Sequence, residues 1–199
     1  MSLKYPEIYD ISEIDKWIST YVRKELVTTE WDLISNEVAP DVYQIPFFTE
    51  EFCDKIVDNM INEKGEQITL WGHEAEEIGI NDSIHEVIRN LFVNKLVHAF
   101  YHHWSIDLPT FQRLELVNRY FRFQKNQDLR PRHDSSIITC YIKLDSDSEG
   151  GELYFPKYNY TLKPKQGHIY FFSGRVTHRY GINFIKSEIN NSLFIYITD

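Results

Sequence analysis

The chain has 199 residues, enough for one domain at roughly 100–200 residues each, and carries a net charge of −9 from 21 Lys and Arg against 30 Asp and Glu. A hydrophobic content of 42% with 15% aromatics excludes a disordered chain, and the acidity argues against a nucleic-acid binder, which needs a basic face. No apolar run approaches the roughly 20 residues of a membrane span.

The opening Met1-Ser2-Leu3-Lys4-Tyr5 has no basic flank followed by an apolar stretch, so no secretory signal is read there. Cys53 and Cys140 offer no disulfide framework, which fits a reducing compartment.

In chain order, Ile14, Trp17, Ile18, Tyr21 and Val22 fall at helical spacing, and Pro40–Pro46 reads as a short extended segment. Thr49 is placed to cap a helix whose first turn holds Glu50 and Glu51 and whose buried stripe is Phe52, Ile56, Val57, Met60 and Ile61. His73, beside Glu74, Glu76 and Glu77, reads as part of a solvated loop. Ser83 and Glu86 have capping-box spacing and open a helix through Leu91 and Leu96 to about Phe100. His102 and His103, adjacent and so pointing apart, read as a helix end rather than as ligands alongside Asp107.

Near residue 110 the period changes to two. Segments 114–123, 137–144, 152–155, 159–163, 168–172 and 192–198 are rich in Tyr, Phe, Ile and Thr and are separated by Asp/Ser/Gly or Pro/Lys/Gly turns, such as 145–151 and 163–167. The 145–149 acidic run lacks the spacing of a calcium loop. The predicted fold is mainly β with flanking helices (α+β): a single domain with residues 1–110 as a mainly helical support and 111–199 as a jelly-roll core, a double-stranded β-helix.

Three pieces of the second half stand out. They are Leu129-Arg130-Pro131-Arg132-His133-Asp134-Ser135-Ser136, Glu149-Gly150-Gly151-Glu152-Leu153-Tyr154-Phe155-Pro156, and Pro164 through Gly174-Arg175-Val176-Thr177-His178. Together they resemble the core of the Fe(II)/2-oxoglutarate dioxygenases, and among these the C-terminal domain of the procollagen lysyl hydroxylases, which write Leu-Arg-Pro-His-His-Asp-Ser-Ser for the first piece. Pro40-Asp41-Val42-Tyr43 and Thr49–Asp54 resemble that family's upstream segment. The resemblance runs from about residue 38 to the C-terminus and is weakest over 64–112.

Fe(II) and 2-oxoglutarate are the cofactors this resemblance implies, with two histidines and a carboxylate on one face of the iron. It makes Asp134 the carboxylate and His178 the distal histidine. At the first-histidine position, two residues before the carboxylate on the same side of a strand, stands Arg132. A guanidinium has only donors and is always charged, so it cannot ligate iron and would instead pair with Asp134.

A slipped register would use His133 as ligand with Ser135 at the carboxylate position, at the expense of turning the segment's faces over. Matching the C-terminal ends places Asn191 where the family's last strand carries the arginine for 2-oxoglutarate. Asn lacks that charge, and Lys143, Arg122, Arg179 or Lys186 are the candidate substitutes. Ala39, Leu153 and Tyr160 stand where the family's secreted members carry cysteines, which again fits a reducing compartment. A domain cropped from a longer chain would instead suit the endoplasmic reticulum.

Two expectations follow. In the first, the iron and co-substrate sites have decayed and the fold binds a protein or peptide partner or completes a homo-oligomer. In the second, the chain is an active hydroxylase of peptidyl lysine, or of another peptidyl side chain, with a non-standard iron site. There the net acidity would suit a lysine-rich peptide.

Overall fold

A computed structural model describes residues 3–70, 73–146, 148–175 and 177–199. The helices are α1 (Ile14–Tyr21), α2 (Lys24–Thr28), α3 (Trp31–Ile34), α4 (Glu50–Met60), α5 (Asp82–Leu91), α6 (Val97–Trp104) and α7 (Leu108–Phe111). The strands of the first half are β1 (Asn36–Ala39), β2 (Val42–Pro46), β3 (Glu66–Leu70) and β4 (His73–Ile78). The second half adds β5 (Glu115–Gln124), β6 (Leu129–Arg132), β7 (Ile138–Lys143), β8 (Leu153–Phe155), β9 (Tyr160–Leu162), β10 (His168–Ser173), β11 (Tyr180–Ile182) and β12 (Ile189–Thr198).

The strands form an eight-stranded sheet in the order β1-β2-β10-β7-β12-β5-β4-β3 and a four-stranded sheet in the order β6-β11-β8-β9. Every strand pairing within them is antiparallel.

Alternation along the central strands divides the interior in two. Ile138, Cys140 and Ile142 of β7 and Leu193, Ile195 and Ile197 of β12 pack with Trp17, Phe52, Ile56, Val87, Ile88 and Leu91, so one face of the large sheet is covered by helices. The alternate residues Tyr141 and Phe194 pack with Phe121, Phe172, Leu129, Leu153, Phe155, Tyr180 and Ile182, filling the trough between the two sheets. This is the jelly roll expected from the period-two segments.

Thr49 caps α4, its hydroxyl accepting from the Phe52 N–H at 3.3 Å. The cap of α5 is Asn81 rather than Ser83: the Asn81 side chain accepts from the Ser83 N–H at 2.9 Å, so the helix begins two residues earlier than capping-box spacing implies. The expected single helix to Phe100 continues to Trp104 but passes through a π-turn over Phe92–Leu96, which keeps Phe92, Leu96 and Phe100 all buried. His102 and His103 lie in the last turn of α6, as a helix end, while Asp107 caps α7 by accepting from the Thr110 N–H at 2.9 Å.

Residues 1–110 are more than a helical support, since they contribute β1 to β4 to the large sheet. The stretch read as a solvated loop around His73 is strand β4, paired between β3 and β5. Its carboxylates meet arginines across the ladder: Glu76 lies opposite Arg122 and bonds it at 2.8 Å, and Glu77 pairs with Arg119. An acidic strand is tolerated because its neighbour supplies the opposite charge.

Gly167 ends the 163–167 turn with φ +71°, and its carbonyl accepts from the N–H groups of Phe47 (3.0 Å) and Phe48 (2.8 Å). A Cβ there would lie 2.3 Å from the Phe48 carbonyl oxygen. Gly167→Ala is therefore expected to cost at least about 2 kcal/mol, from ~1–2 for a left-handed L-residue and ~1–3 for overpacking. Gly79→Ala, whose Cβ would meet nothing within 4 Å, serves as the control. Equal urea midpoints for the two variants would refute this.

Candidate functional site

Asp134 follows β6 at one end of the trough, its side chain only 2% exposed. A carboxylate has about four lone-pair sites, and here all four are matched by donors. Oδ1 accepts from Arg132 Nε (2.8 Å) and Nη2 (2.5 Å), and Oδ2 accepts from Thr139 Oγ1 (2.7 Å) and Tyr180 Oη (2.8 Å). Burial, reinforced by the nearby Tyr196 and the Asp134 carboxylate, raises the Tyr180 pKa well above that of an ordinary phenol, so the hydroxyl stays protonated and donates. The Tyr180 ring lies 5.0 Å from that of Phe172 and is fully buried. It fills the trough at the point where the carboxylate would face a ligand.

His178 is 1% exposed, among Tyr158, Phe172 and Phe155 at ring separations of 5.6, 6.1 and 6.4 Å. Its Nε2 lies 2.9 Å from the Pro40 carbonyl oxygen, which can only accept, so Nε2 carries a proton and donates. Nδ1 bonds the Thr177 hydroxyl at 2.9 Å. Both ring nitrogens are thus engaged.

These residues do not fit Fe(II) as they stand. The carboxylate is filled by donors, the imidazole is bonded at both nitrogens, and a guanidinium holds the third position. Among the described residues no three His, Cys, Asp or Glu side chains converge to hold a metal ion. His133 does not rescue the set: it is exposed, on the opposite side of the segment from buried Asp134, as strand alternation requires.

Asn191 requires a correction. In β12 it shares the helix-facing side with Leu193, its Oδ1 accepting from Tyr120 Oη at 2.8 Å and its Nδ2 donating to Asp145 Oδ1 at 2.8 Å. The Asn191 N–H also donates to the Asp145 carboxylate. Burial raises the Asp145 pKa, and these two hydrogen bonds from Asn191 oppose it. The residues of β12 that face the trough are Asn190, Ser192, Phe194 and Tyr196. Asn191 therefore points away from the trough, its amide committed to Tyr120 and Asp145.

Of the proposed substitutes, Arg122 lies on the helix side, where it bonds Glu76 and the Met60 carbonyl, and Arg179 and Lys186 are exposed. Lys143 alone among them faces the trough, and it is only 3% exposed.

The sequence gives Tyr180 and Thr139 no role, and gives Pro40 one only as part of the Pro-Asp-Val-Tyr segment, not as a partner of His178. Tyr180 had a signal, standing two residues beyond His178. Pro40 had none for that bond, because its carbonyl reaches His178 across 138 residues of chain.

Above the Asp134 end opens a groove of about 330 Å³, lined by Arg119, Phe121, Arg132, Ser135 and Tyr196 among others. Val176 in the third conspicuous piece and Asp147 in the acidic turn lie outside the described residues.

No family model matches the chain. It is 25% identical to mouse procollagen-lysine,2-oxoglutarate 5-dioxygenase 2 over 81% of its own length and 24% of that protein's. It is 26% identical to human procollagen-lysine,2-oxoglutarate 5-dioxygenase 1 over 84% of its length and 25% of that protein's. The chain thus spans about a quarter of these curated relatives.

Among solved structures, a viral collagen prolyl hydroxylase from Paramecium bursaria Chlorella virus-1 superposes with a TM-score of 0.61 at 19% identity, covering 79% of this chain and 94% of that one. A prolyl-4-hydroxylase from Pseudomonas putida gives 0.60 at 12%, covering 79% and 92%. Cofactors of the Fe(II) and 2-oxoglutarate type are what such relatives lead one to expect, and the donor set around Asp134 departs from that expectation. In sequence the chain is lysyl-hydroxylase-like, and in fold it resembles the 2-oxoglutarate–Fe(II) oxygenases.

Proposed function

We propose that this domain is a catalytically degenerate dioxygenase fold that acts by binding a protein or peptide partner. The observation that carries the reading is the fourfold hydrogen bonding of Asp134 by Arg132, Thr139 and Tyr180. The donors turn a potential metal ligand into the centre of a structural network, which gains its stability from burial and from charge-assisted bonds. The groove of about 330 Å³ above it offers apolar Phe121 and Tyr196 beside the Arg119 and Arg132 guanidiniums, a surface suited to a peptide segment. The net charge of −9 favours a basic, lysine-rich partner at the scale of the whole molecule, and a second copy of the chain is a further possible partner.

The test is an anaerobic titration with Fe(II) and 2-oxoglutarate, followed by visible absorption. The protein is expected to stay colourless, because a charge-transfer band forms only when the 2-oxo acid chelates bound iron. A band that grows and saturates would overturn the degenerate reading and direct the search to peptidyl-lysine substrates.

A further inference from the structure

A groove of about 460 Å³ opens between the second half of α4, the turn that follows β7 and the segment that leads into β12. Asp54, Val57 and Asp58 of α4 fall at i, i+3 and i+4, so one face of that helix forms a wall. Leu144 and Ile189 add apolar surface to that of Val57, and Ile189 is 38% exposed. β7 runs from Ile138, after Asp134, to Lys143, before Asp145, and β12 runs from Ile189 to Thr198. This groove and the one at Asp134 therefore lie at opposite ends of the same two paired strands.

The walls are tied together by hydrogen bonds. Gln166 Nε2 donates to Asp54 Oδ1 and to the Leu144 carbonyl, each at 2.8 Å, which fixes the helix against the turn. Asn191 holds Asp145 from its backbone and its side chain. The N–H groups of Lys186 (2.9 Å) and Ser187 (3.2 Å) donate to the Glu149 carbonyl and join the other two segments. A groove held open by the fold loses little freedom when a partner fills it.

Charge selects the partner. Four of the ten described residues that line the groove are carboxylates, Asp54, Asp58, Asp145 and Glu188, and none is Lys or Arg. Asp58 pairs with Lys4 and Glu188 with Lys125, but both lysine side chains are more than half exposed, where water and salt screen such pairs. Lys143, whose charge also acts on Asp145, is buried on the trough side. The groove at Asp134 is balanced instead, with Arg119 and Arg132 against Glu77 and Asp134. A second copy of the chain, itself at −9, would meet these carboxylates with like charge.

We propose that this groove docks a basic segment of a partner protein, one apolar side chain seated on Val57, Leu144 and Ile189 and its flanking lysines or arginines facing the four carboxylates. The proposal rests on the reading that the domain binds a protein or peptide, and it gives the basic part of that partner a place apart from Asp134.

The experiment is fluorescence anisotropy of a labelled peptide of repeating Lys-Leu-Lys units, titrated with the full chain. Saturable binding is expected. A Lys-Ser-Lys peptide of the same length should bind at least about fivefold more weakly, because it brings the charge without the apolar side chain. Asp54→Asn/Glu188→Gln removes two exposed carboxylates and is expected to weaken the Lys-Leu-Lys peptide by about fivefold. Asp15→Asn/Glu30→Gln removes the same charge from exposed positions outside the groove and should weaken it by less than about twofold.

Equal loss in the two double variants would mean that the peptide reads net charge alone and would overturn the groove. Binding that never saturates, or that ignores the exchange of Leu for Ser, would overturn it as well. A charge-transfer band in the Fe(II) titration would strike the degenerate reading and leave the peptide result standing, so the two failures are read separately.

Discussion

Arg132→Met is expected to destabilise the folded protein by about 3 kcal/mol, toward the lower end of what breaking a buried ion pair costs, since 17% of the Arg132 side chain remains exposed. The loss arises less from the arginine than from what it leaves behind. Asp134 would remain at 2% side-chain exposure with only the Thr139 and Tyr180 hydroxyls as hydrogen-bond partners.

The partner change separates this from mere loss of packing. Arg132→Met with Asp134→Asn removes both charges but keeps an amide oxygen for Thr139 and Tyr180, so it is expected to recover most of the lost stability. Urea unfolding of the four proteins completes the cycle. An interaction energy below about 0.5 kcal/mol would show that the two residues act independently and would sink the account of Asp134 as a donor-saturated carboxylate.

The second large effect concerns metal. Arg132→His supplies an imidazole and removes the cation, yet Asp134 Oδ2 would still accept from Tyr180, and His178 would still donate to Pro40. Adding Tyr180→Phe removes one of the two donors to Oδ2, leaving that of Thr139, without disturbing the ring packed 5.0 Å from Phe172. The bond from His178 to the Pro40 carbonyl, which a metal would displace, is worth only about 1 kcal/mol.

The double variant Arg132→His/Tyr180→Phe is therefore expected to bind Co(II), a spectroscopic stand-in for Fe(II), at least about 100-fold more tightly than the parent, ~2.7 kcal/mol. Tyr180→Phe alone should bind no better than the parent, because the guanidinium remains. Equal affinity for Arg132→His and the double variant would mean that Tyr180 does not obstruct the site. No gain in either would remove Asp134 and His178 as metal-site positions.

Much of this was legible before any coordinates. The change of period near residue 110 marks where the jelly-roll strands concentrate, because alternation is the direct imprint of a sheet with two distinct faces. The Thr49 cap is a local feature and appears where local chemistry places it. Arg132 paired with Asp134 is also local, since residues two apart on an extended chain share a side, and the ion pair was readable from charge and spacing alone.

Tertiary structure decided the rest, and for the same physical reasons throughout. The faces of β12 depend on register: Asn191 bonds Tyr120 and Asp145 on the helix side, while Asn190 and Ser192 face the trough. The acidic β4 strand is stable only because β5 presents Arg119 and Arg122 across the ladder, a pairing that sequence distance hides.

Tyr180 and Pro40 bond Asp134 and His178 from segments 46 and 138 residues away. The sequence by itself determined the strand-rich fold, the helix caps in outline and the guanidinium of Arg132 beside Asp134. Only the folded chain decided which further donors complete the bonding of Asp134, because a buried carboxylate is satisfied by whichever donors packing brings within about 3 Å, however far apart they lie along the backbone.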